Sequence, residues 1–173
     1  MGTQRTRLIV CLAASATVSG CGARCGTARD LRDSEGARAQ VTDSVRAFAA
    51  EVARDITHDG ASAWLRYFSD APAFFMAVNG QLPFASGMQA RQALPGIARQ
   101  IPHIELSWGE GLRVDPLGGD LAVLASPWRE IQIDSAGHRT EEAGYFSGVV
   151  ERRDGHWRFR DAHWSQPLPR PAT

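Results

Sequence analysis

One stretch decides the fold of this chain: Gly144-Tyr-Phe-Ser-Gly-Val-Val-Glu-Arg-Arg-Asp-Gly-His-Trp-Arg-Phe-Arg-Asp-Ala-His-Trp-Ser165. It predicts two β-strands joined by a tight turn at Asp154-Gly155, a dipeptide that favours the left-handed backbone of a two-residue hairpin loop. Counting outward from this turn gives the expected cross-strand pairs, which are Arg152 with Trp157, Val150 with Phe159, Gly148 with Asp161, and Phe146 with His163. The hairpin is therefore predicted to present one apolar face near its turn.

Farther from the turn the same face becomes polar, because strand alternation places Asp161 and His163 on it. A sheet face that changes in this way indicates a packed end and an open end, and the open end is a candidate pocket. A neutral imidazole beside a carboxylate can transfer protons, since burial moves both pKa values toward neutral pH. We predict Asp161 and His163 as catalytic candidates at the bottom of that pocket. The alternative is a structural pair that fills a polar floor.

Residues 1–20 have the layout of a secretory signal, in which two arginines precede a short apolar run followed by small residues. The apolar run is too short to span a bilayer as a helix. Val18-Ser19-Gly20-Cys21 resembles a bacterial lipobox, which implies a lipid on Cys21 and a location in the bacterial cell envelope, facing the periplasm or the exterior. The alternative is an ordinary signal peptide with an incidental cysteine.

The composition excludes several classes of function. The chain of 173 residues has 19 basic and 19 acidic residues and no basic stripe, so we expect no nucleic-acid partner. It contains no lysine, so it cannot form a Schiff base with pyridoxal phosphate. Motifs for phosphate loops, nucleophile elbows and dinucleotides are absent, and we predict no cofactor. His103 and Glu105 share a strand face, but their spacing does not require a metal site, and none is predicted.

The order of patterns along the chain indicates helices followed by strands. Residues 21–40 are small and charged, which predicts a flexible tether. Apolar residues then recur at helical spacing from Val41 to Ile56, and Ser62–Phe68 and Ser86–Gln100 also read as helices. A hairpin with an Asn79-Gly80 turn separates the last two, and long strands follow Pro102. Helices on one face of a curved antiparallel sheet make an α+β domain.

From about Val41 to Ser165 the chain resembles the nuclear transport factor 2-like (NTF2-like) superfamily, in particular its SnoaL-like bacterial branch. The residues that carry the resemblance are Val78-Asn79-Gly80, Ser86-Gly87, and Asp154-Gly155-His156-Trp157-Arg158 running into His163-Trp164-Ser165. The resemblance implies a cone-shaped, curved antiparallel sheet with three N-terminal helices on its concave face, enclosing one pocket. It also implies a homodimer formed through the sheet, where Tyr145 and Trp164 are expected to point away from the cone.

We divide the chain into a lipoprotein signal peptide at 1–20, a tether at 21–40, an NTF2-like domain at 41–166 and a tail at 167–173. The predicted pocket wall is aromatic and consists of Trp64, Tyr67, Phe68, Phe75, Trp108 and Trp128. Each of these residues could be ordinary core, but together they indicate a flat or apolar ligand.

The superfamily contains both enzymes and non-catalytic binding domains, so the resemblance leaves the function open. The preferred prediction is a membrane-anchored domain that binds a small, partly apolar molecule, without established catalysis. The second is an acid–base enzyme of the isomerase, dehydratase or cyclase type that uses Asp161 and His163. The third is a structural dimerisation module of the cell envelope, whose cone would be filled by its own aromatic side chains.

Overall fold

The computed structural model describes residues 28–70 and 74–167 of the chain. The predicted signal peptide, Cys21 and the predicted tail beyond Pro167 lie outside the described residues. The helical elements are α1 (Ala28–Asp59), a 3-10 turn (Gly60–Ala63), α2 (Trp64–Tyr67) and α3 (Gly87–Gln100). The strands are β1 (Phe75–Val78), β2 (Gln81–Phe84), β3 (His103–Trp108), β4 (Arg113–Pro116), β5 (Leu121–Ile133), β6 (Arg139–Arg153), β7 (His156–Phe159) and β8 (Asp161–Ser165).

Helix α1 is longer than the apolar periodicity predicts. Val45, Val52 and Ile56 are fully buried and form the expected core stripe. The helix nevertheless begins at Ala28, so residues 28–40, predicted as part of a flexible tether, are helical. This segment is rich in Ala and Arg, which favour helix, and it extends a helix that core packing already stabilises. The Arg38 guanidinium also fixes it to the body of the protein, donating to the Pro116 carbonyl oxygen at 2.9 Å.

The eight strands form one sheet in the order β2-β1-β8-β6-β5-β3, with β4 paired to β5 and β7 paired to β6. All pairs are antiparallel except β1 with β8. Helix α1 packs on β3, β4 and β5, while α3 packs on the 3-10 turn, α2 and β2. The predicted α+β architecture, a curved sheet with helices on one face, is confirmed. No helix among the described residues is both long and apolar enough to cross a bilayer.

The turn of the final hairpin lies where the sequence predicts it. Asp154 and Gly155 both have positive φ, 51° and 79°, as a two-residue hairpin loop requires. Val150 pairs with Phe159 as expected, and Arg152 with Trp157.

Beyond Phe159 the register shifts by one residue. The Arg160 amide donates to the Val149 carbonyl oxygen, and strand β8 then pairs Phe146 with Trp164 and Ser147 with His163. The predicted pairs of Gly148 with Asp161 and of Phe146 with His163 are therefore wrong. Because side chains alternate along a strand, this bulge reverses every face that follows it.

The reversed strand β8 turns Ala162 and Trp164 into the core, where they are 1% and 8% exposed. Trp164 was expected to point away from the cone and instead faces inward. The face of the sheet opposite the helices, called here the outer face, receives Asp161 and His163. Because of the register shift, Ala162 and Trp164 face the interior instead of Asp161 and His163.

Candidate functional site

A cavity of about 560 Å³ lies between the concave side of the sheet, the β1–β2 hairpin and helices α2 and α3. Its volume falls in the range of roughly 300–1,000 Å³ that is typical of small-molecule sites. Most of its wall is apolar, and the side chains that α2, β1 and α3 contribute include Trp64, Phe68, Met76, Leu94 and Ile97.

Helix α3 forms one wall of the cavity and is fixed at its start by side-chain hydrogen bonds. The Ser86 hydroxyl oxygen accepts from the Gln89 amide at 3.3 Å, and the Gln89 side chain accepts from the Ala85 amide at 2.7 Å. Ser86 is thus the N-cap of the helix, and Gln89 satisfies the amide of the residue before it. The helix continues without interruption through Pro95 to Gln100. One continuous helix therefore presents Leu94 to the cavity.

Tryptophan rings form the opposite wall, with Trp164 at their centre. Its ring meets Trp128 edge-to-face at 5.1 Å and Trp64 edge-to-face at 5.8 Å. Behind it, Trp108 stacks at 5.8 Å and anchors its indole N–H on the Ala49 carbonyl oxygen at 2.7 Å. Such edge-to-face contacts add stability beyond area burial and hold the rings in fixed orientations. The wall is thus a rigid aromatic surface.

The Trp128 indole N–H is buried beside Gly144 and has no hydrogen-bond acceptor among the described residues. Gly144 is required here, because a Cβ at this position would overlap the Ser165 carbonyl oxygen. An unpaired buried donor costs stability. This part of the wall is therefore not optimised for stability alone.

The cavity has an acidic end. Glu130 and Gln132 on β5 and Glu142 on β6 line it, and Glu130 lies directly opposite Glu142 in the strand register. Glu130 accepts a hydrogen bond from the Gln132 side-chain amide. Burial raises the pKa of Glu130; the hydrogen bond from Gln132 opposes this and the charge of Glu142 adds to it. Within residues 28–70 and 74–167, neither carboxylate is in an ion pair.

A polar clamp lies at the mouth of the cavity. Asn79, in the predicted Asn-Gly turn, donates from its side chain to the Gln166 side-chain oxygen at 2.6 Å. Its own side-chain oxygen accepts from the Gln166 amide at 2.8 Å, and its backbone amide donates to the Trp164 carbonyl oxygen at 3.0 Å. These bonds join the β1–β2 hairpin to the end of β8. They hold the hairpin in place as part of the cavity wall.

Three of the six aromatic residues predicted for the wall line the cavity: Trp64, Phe68 and Trp128. The other three do not. Tyr67 is buried elsewhere and its hydroxyl donates to Asp55 at 2.6 Å. Phe75 lies on the outer face, since its neighbour Met76 faces the cavity, and Trp108 stands behind Trp164.

Asp161 and His163 do not face the cavity. Asp161 accepts from the Val149 amide at 3.1 Å, and partial burial raises its pKa. The His163 side chain is exposed on the outer face. Their predicted place at the bottom of the pocket is wrong, because the bulge at Arg160 turns both of them outward.

The residues that the sequence reasoning missed are Glu130, Gln132, Glu142 and Trp164. A signal for two of them was present, because Trp128, Glu130 and Gln132 alternate along one strand face and Trp128 was already assigned to the wall. Strands β5 and β6 pair without interruption from Leu121 to Ile133, which keeps these three residues on one face.

The described residues contain no group of three or more His, Cys, Asp or Glu side chains placed to hold a metal ion. His103 and Glu105 contact each other at 3.1 Å on an exposed part of β3.

A curved mixed sheet closed by three helices around one cavity defines the NTF2-like fold. No family model matches the chain, and no curated protein matches its sequence. Solved structures do match, and three of them show the range of what shares this fold.

One is an NTF2-like superfamily protein from Salmonella enterica serovar Typhimurium, with a TM-score of 0.59, 14% identity, and coverage of 79% of this chain and 94% of that one. Another is an NTF2-like protein of unknown function from Shewanella oneidensis, with a TM-score of 0.56, 15% identity, and coverage of 72% and 98%. A third is a hexachlorocyclohexane dehydrochlorinase, with a TM-score of 0.54, 15% identity, and coverage of 69% and 83%. The chain therefore adopts the NTF2-like fold. Because the sequence identities are this low, the similarity supports a common fold and nothing about function.

Proposed function

We propose that this domain binds one small, partly apolar molecule in the cavity between the sheet and α3, and that a lipid on Cys21 holds it at the bacterial cell envelope. The observation that carries the binding proposal is the cavity itself, with about 560 Å³ of space and an aromatic and aliphatic wall. The transfer of an apolar ligand from water to this wall would be favourable, because it removes apolar surface from water. The lipid anchor rests on the lipobox resemblance alone.

The cavity argues against a purely structural module. That function requires a cone filled by its own aromatic side chains. The side chains around an unfilled apolar space lack packing contacts, which lowers the stability of the fold. Selection for assembly alone would therefore not favour such a cavity.

If the protein is an enzyme, its catalytic residue is a different one from the predicted Asp161 and His163. One structure with this fold is named as a dehydrochlorinase. With Asp161 and His163 on the outer face, a proton-transfer role inside the cavity would fall to Glu130, whose raised pKa brings it closer to neutral pH. In that case Glu130→Gln would abolish turnover of a bound substrate while leaving its binding measurable.

Binding is tested by filling the cavity. Ile97→Trp places an indole in the space that Ile97 now borders, and we expect it to remove binding of the neutral fluorescent probe N-phenyl-1-naphthylamine. Leu117→Trp, at an exposed turn position outside the cavity wall, is the matched control and should bind the probe like the wild type. Equal probe binding by both variants and the wild type would contradict the proposed site. Native mass spectrometry of protein purified from the envelope would then identify the natural ligand.

A further inference from the structure

The charges that line the cavity are all of one sign. Among the described residues that line it, Glu130 and Glu142 are the only ionisable ones, and none is an arginine or a histidine. On the outer face of the same strands the pattern differs, since Glu141 is paired with Arg129 at 2.7 Å and with Arg139 at 2.8 Å. Glu141, outside the cavity, is thus paired with two arginines, whereas Glu130 and Glu142 inside it have no arginine partner among the described residues.

The two carboxylates inside are also placed close together. Residues directly opposite on antiparallel strands have Cβ atoms about 4.5–5.5 Å apart, and like charges in this position destabilise a sheet. Burial and the charge of Glu142 both raise the pKa of Glu130, which reflects the cost of ionising this site without a counter-charge. A positive charge between Glu130 and Glu142 would offset that cost.

The surface next to the carboxylates is aromatic. Trp128 precedes Glu130 by two residues on the same strand face, and its cross-strand partner is Gly144, which has no side chain to cover the ring. Trp164 packs edge-to-face against Trp128. Tryptophan is the aromatic side chain that attracts a cation most strongly. A bare metal ion fits less well, because Ca²⁺ takes about six to eight oxygen ligands and this wall offers mainly carbon.

We propose that the ligand of this cavity is an organic cation, with an ammonium-type head held between Glu130 and Glu142 beside Trp128 and an apolar or aromatic body against the wall formed by α3 and Trp64. This inference rests on the proposed binding function and specifies its ligand class.

The test compares two probes of the same shape. Phenyltrimethylammonium carries a positive charge, and tert-butylbenzene is its neutral carbon isostere. We expect isothermal titration calorimetry to show that the wild type binds the cation about tenfold more tightly than the isostere, as a partly desolvated charge pair and a cation–π contact would give. The double variant Glu130→Gln/Glu142→Gln should lose this preference and keep its affinity for the isostere. Glu141→Gln, one residue away on the outer face, is the matched control and should keep the preference.

The outcomes separate the two proposals. Equal affinity for both probes in the wild type overturns the cation inference and leaves a neutral-ligand site. A preference for the cation that Glu141→Gln removes and the double variant keeps also overturns it, because the cation is then bound on the outer face. Binding of neither probe, together with unchanged N-phenyl-1-naphthylamine binding in Ile97→Trp, overturns the binding function itself.

Discussion

Glu130 is the residue at which the proposed function and stability conflict. Its folded-state pKa is raised, so over the pH range between its usual value of 4.5 and the raised value the folded protein binds more protons than the unfolded chain. Stability therefore falls as the pH rises through this range. A glutamine at this position can accept the same hydrogen bond from Gln132 without a charge.

We expect Glu130→Gln to raise the free energy of unfolding at neutral pH by roughly 0.5–1 kcal/mol, the size of a relieved like-charge cross-strand pair. The gain should disappear below the usual carboxyl pKa of 4.5, where the wild-type side chain is protonated in both the folded and the unfolded chain. Urea denaturation of the ligand-free protein at both pH values measures it. Glu141→Gln, which removes a paired carboxylate, should show no gain, and a pH-independent difference for Glu130→Gln would refute the argument.

At the scale of elements, the last hairpin shows where sequence reasoning succeeds and where it stops. The turn at Asp154-Gly155 and the first cross-strand pairs could be predicted, because the turn residues themselves fix the register. The bulge at Arg160 could not, since one extra residue in a polar stretch has no distinct local pattern. That single residue decides whether His163 or Trp164 enters the core.

The same limit applies to the other elements. Three of the six aromatic residues expected at the cavity, Trp64, Phe68 and Trp128, do line it, because they lie on strand or helix faces that periodicity identifies. The start of α1 was missed because residues 28–40 lack apolar periodicity, while their helix propensity and the contact of Arg38 with Pro116 still make them helical. The overall order of helices and strands needed no tertiary information, whereas the acidic end of the cavity depended on the pairing of β5 with β6.

The face assignment of β8 is tested by two adjacent residues. Trp164→Ala should lower the free energy of unfolding by roughly 3–5 kcal/mol, the usual cost of truncating a buried tryptophan. His163→Ala should change it by less than about 0.5 kcal/mol, since its side chain is exposed. Chemical denaturation followed by circular dichroism compares them. The reverse order of effects would restore the unbulged register.

At the scale of the whole molecule, we propose that the outer face binds a second copy of the chain. Tyr145 and Phe75 are large, apolar or aromatic, and 45% and 41% exposed on this face. Val149 lies on the same face of β6 as Tyr145 and is half-buried. We expect a homodimer, and Val149→Arg should convert it to a monomer by placing an unpaired charge in the interface. Light scattering after size exclusion gives the mass, with Leu117→Arg at an exposed turn as control, and a monomeric wild type would rule the dimer out.

The proposed membrane attachment depends on Cys21, which lies outside the described residues. Because α1 begins at Ala28, residues 28–40 form a helical extension about 20 Å long at 1.5 Å per residue, rather than a coil. Cys21→Ser should abolish labelling by an alkyne palmitate analogue and release the protein from the membrane fraction. Cys25→Ser, only four residues along the same segment, should remain labelled and membrane-bound. Retention of both label and membrane by Cys21→Ser would show that the lipobox resemblance is coincidental.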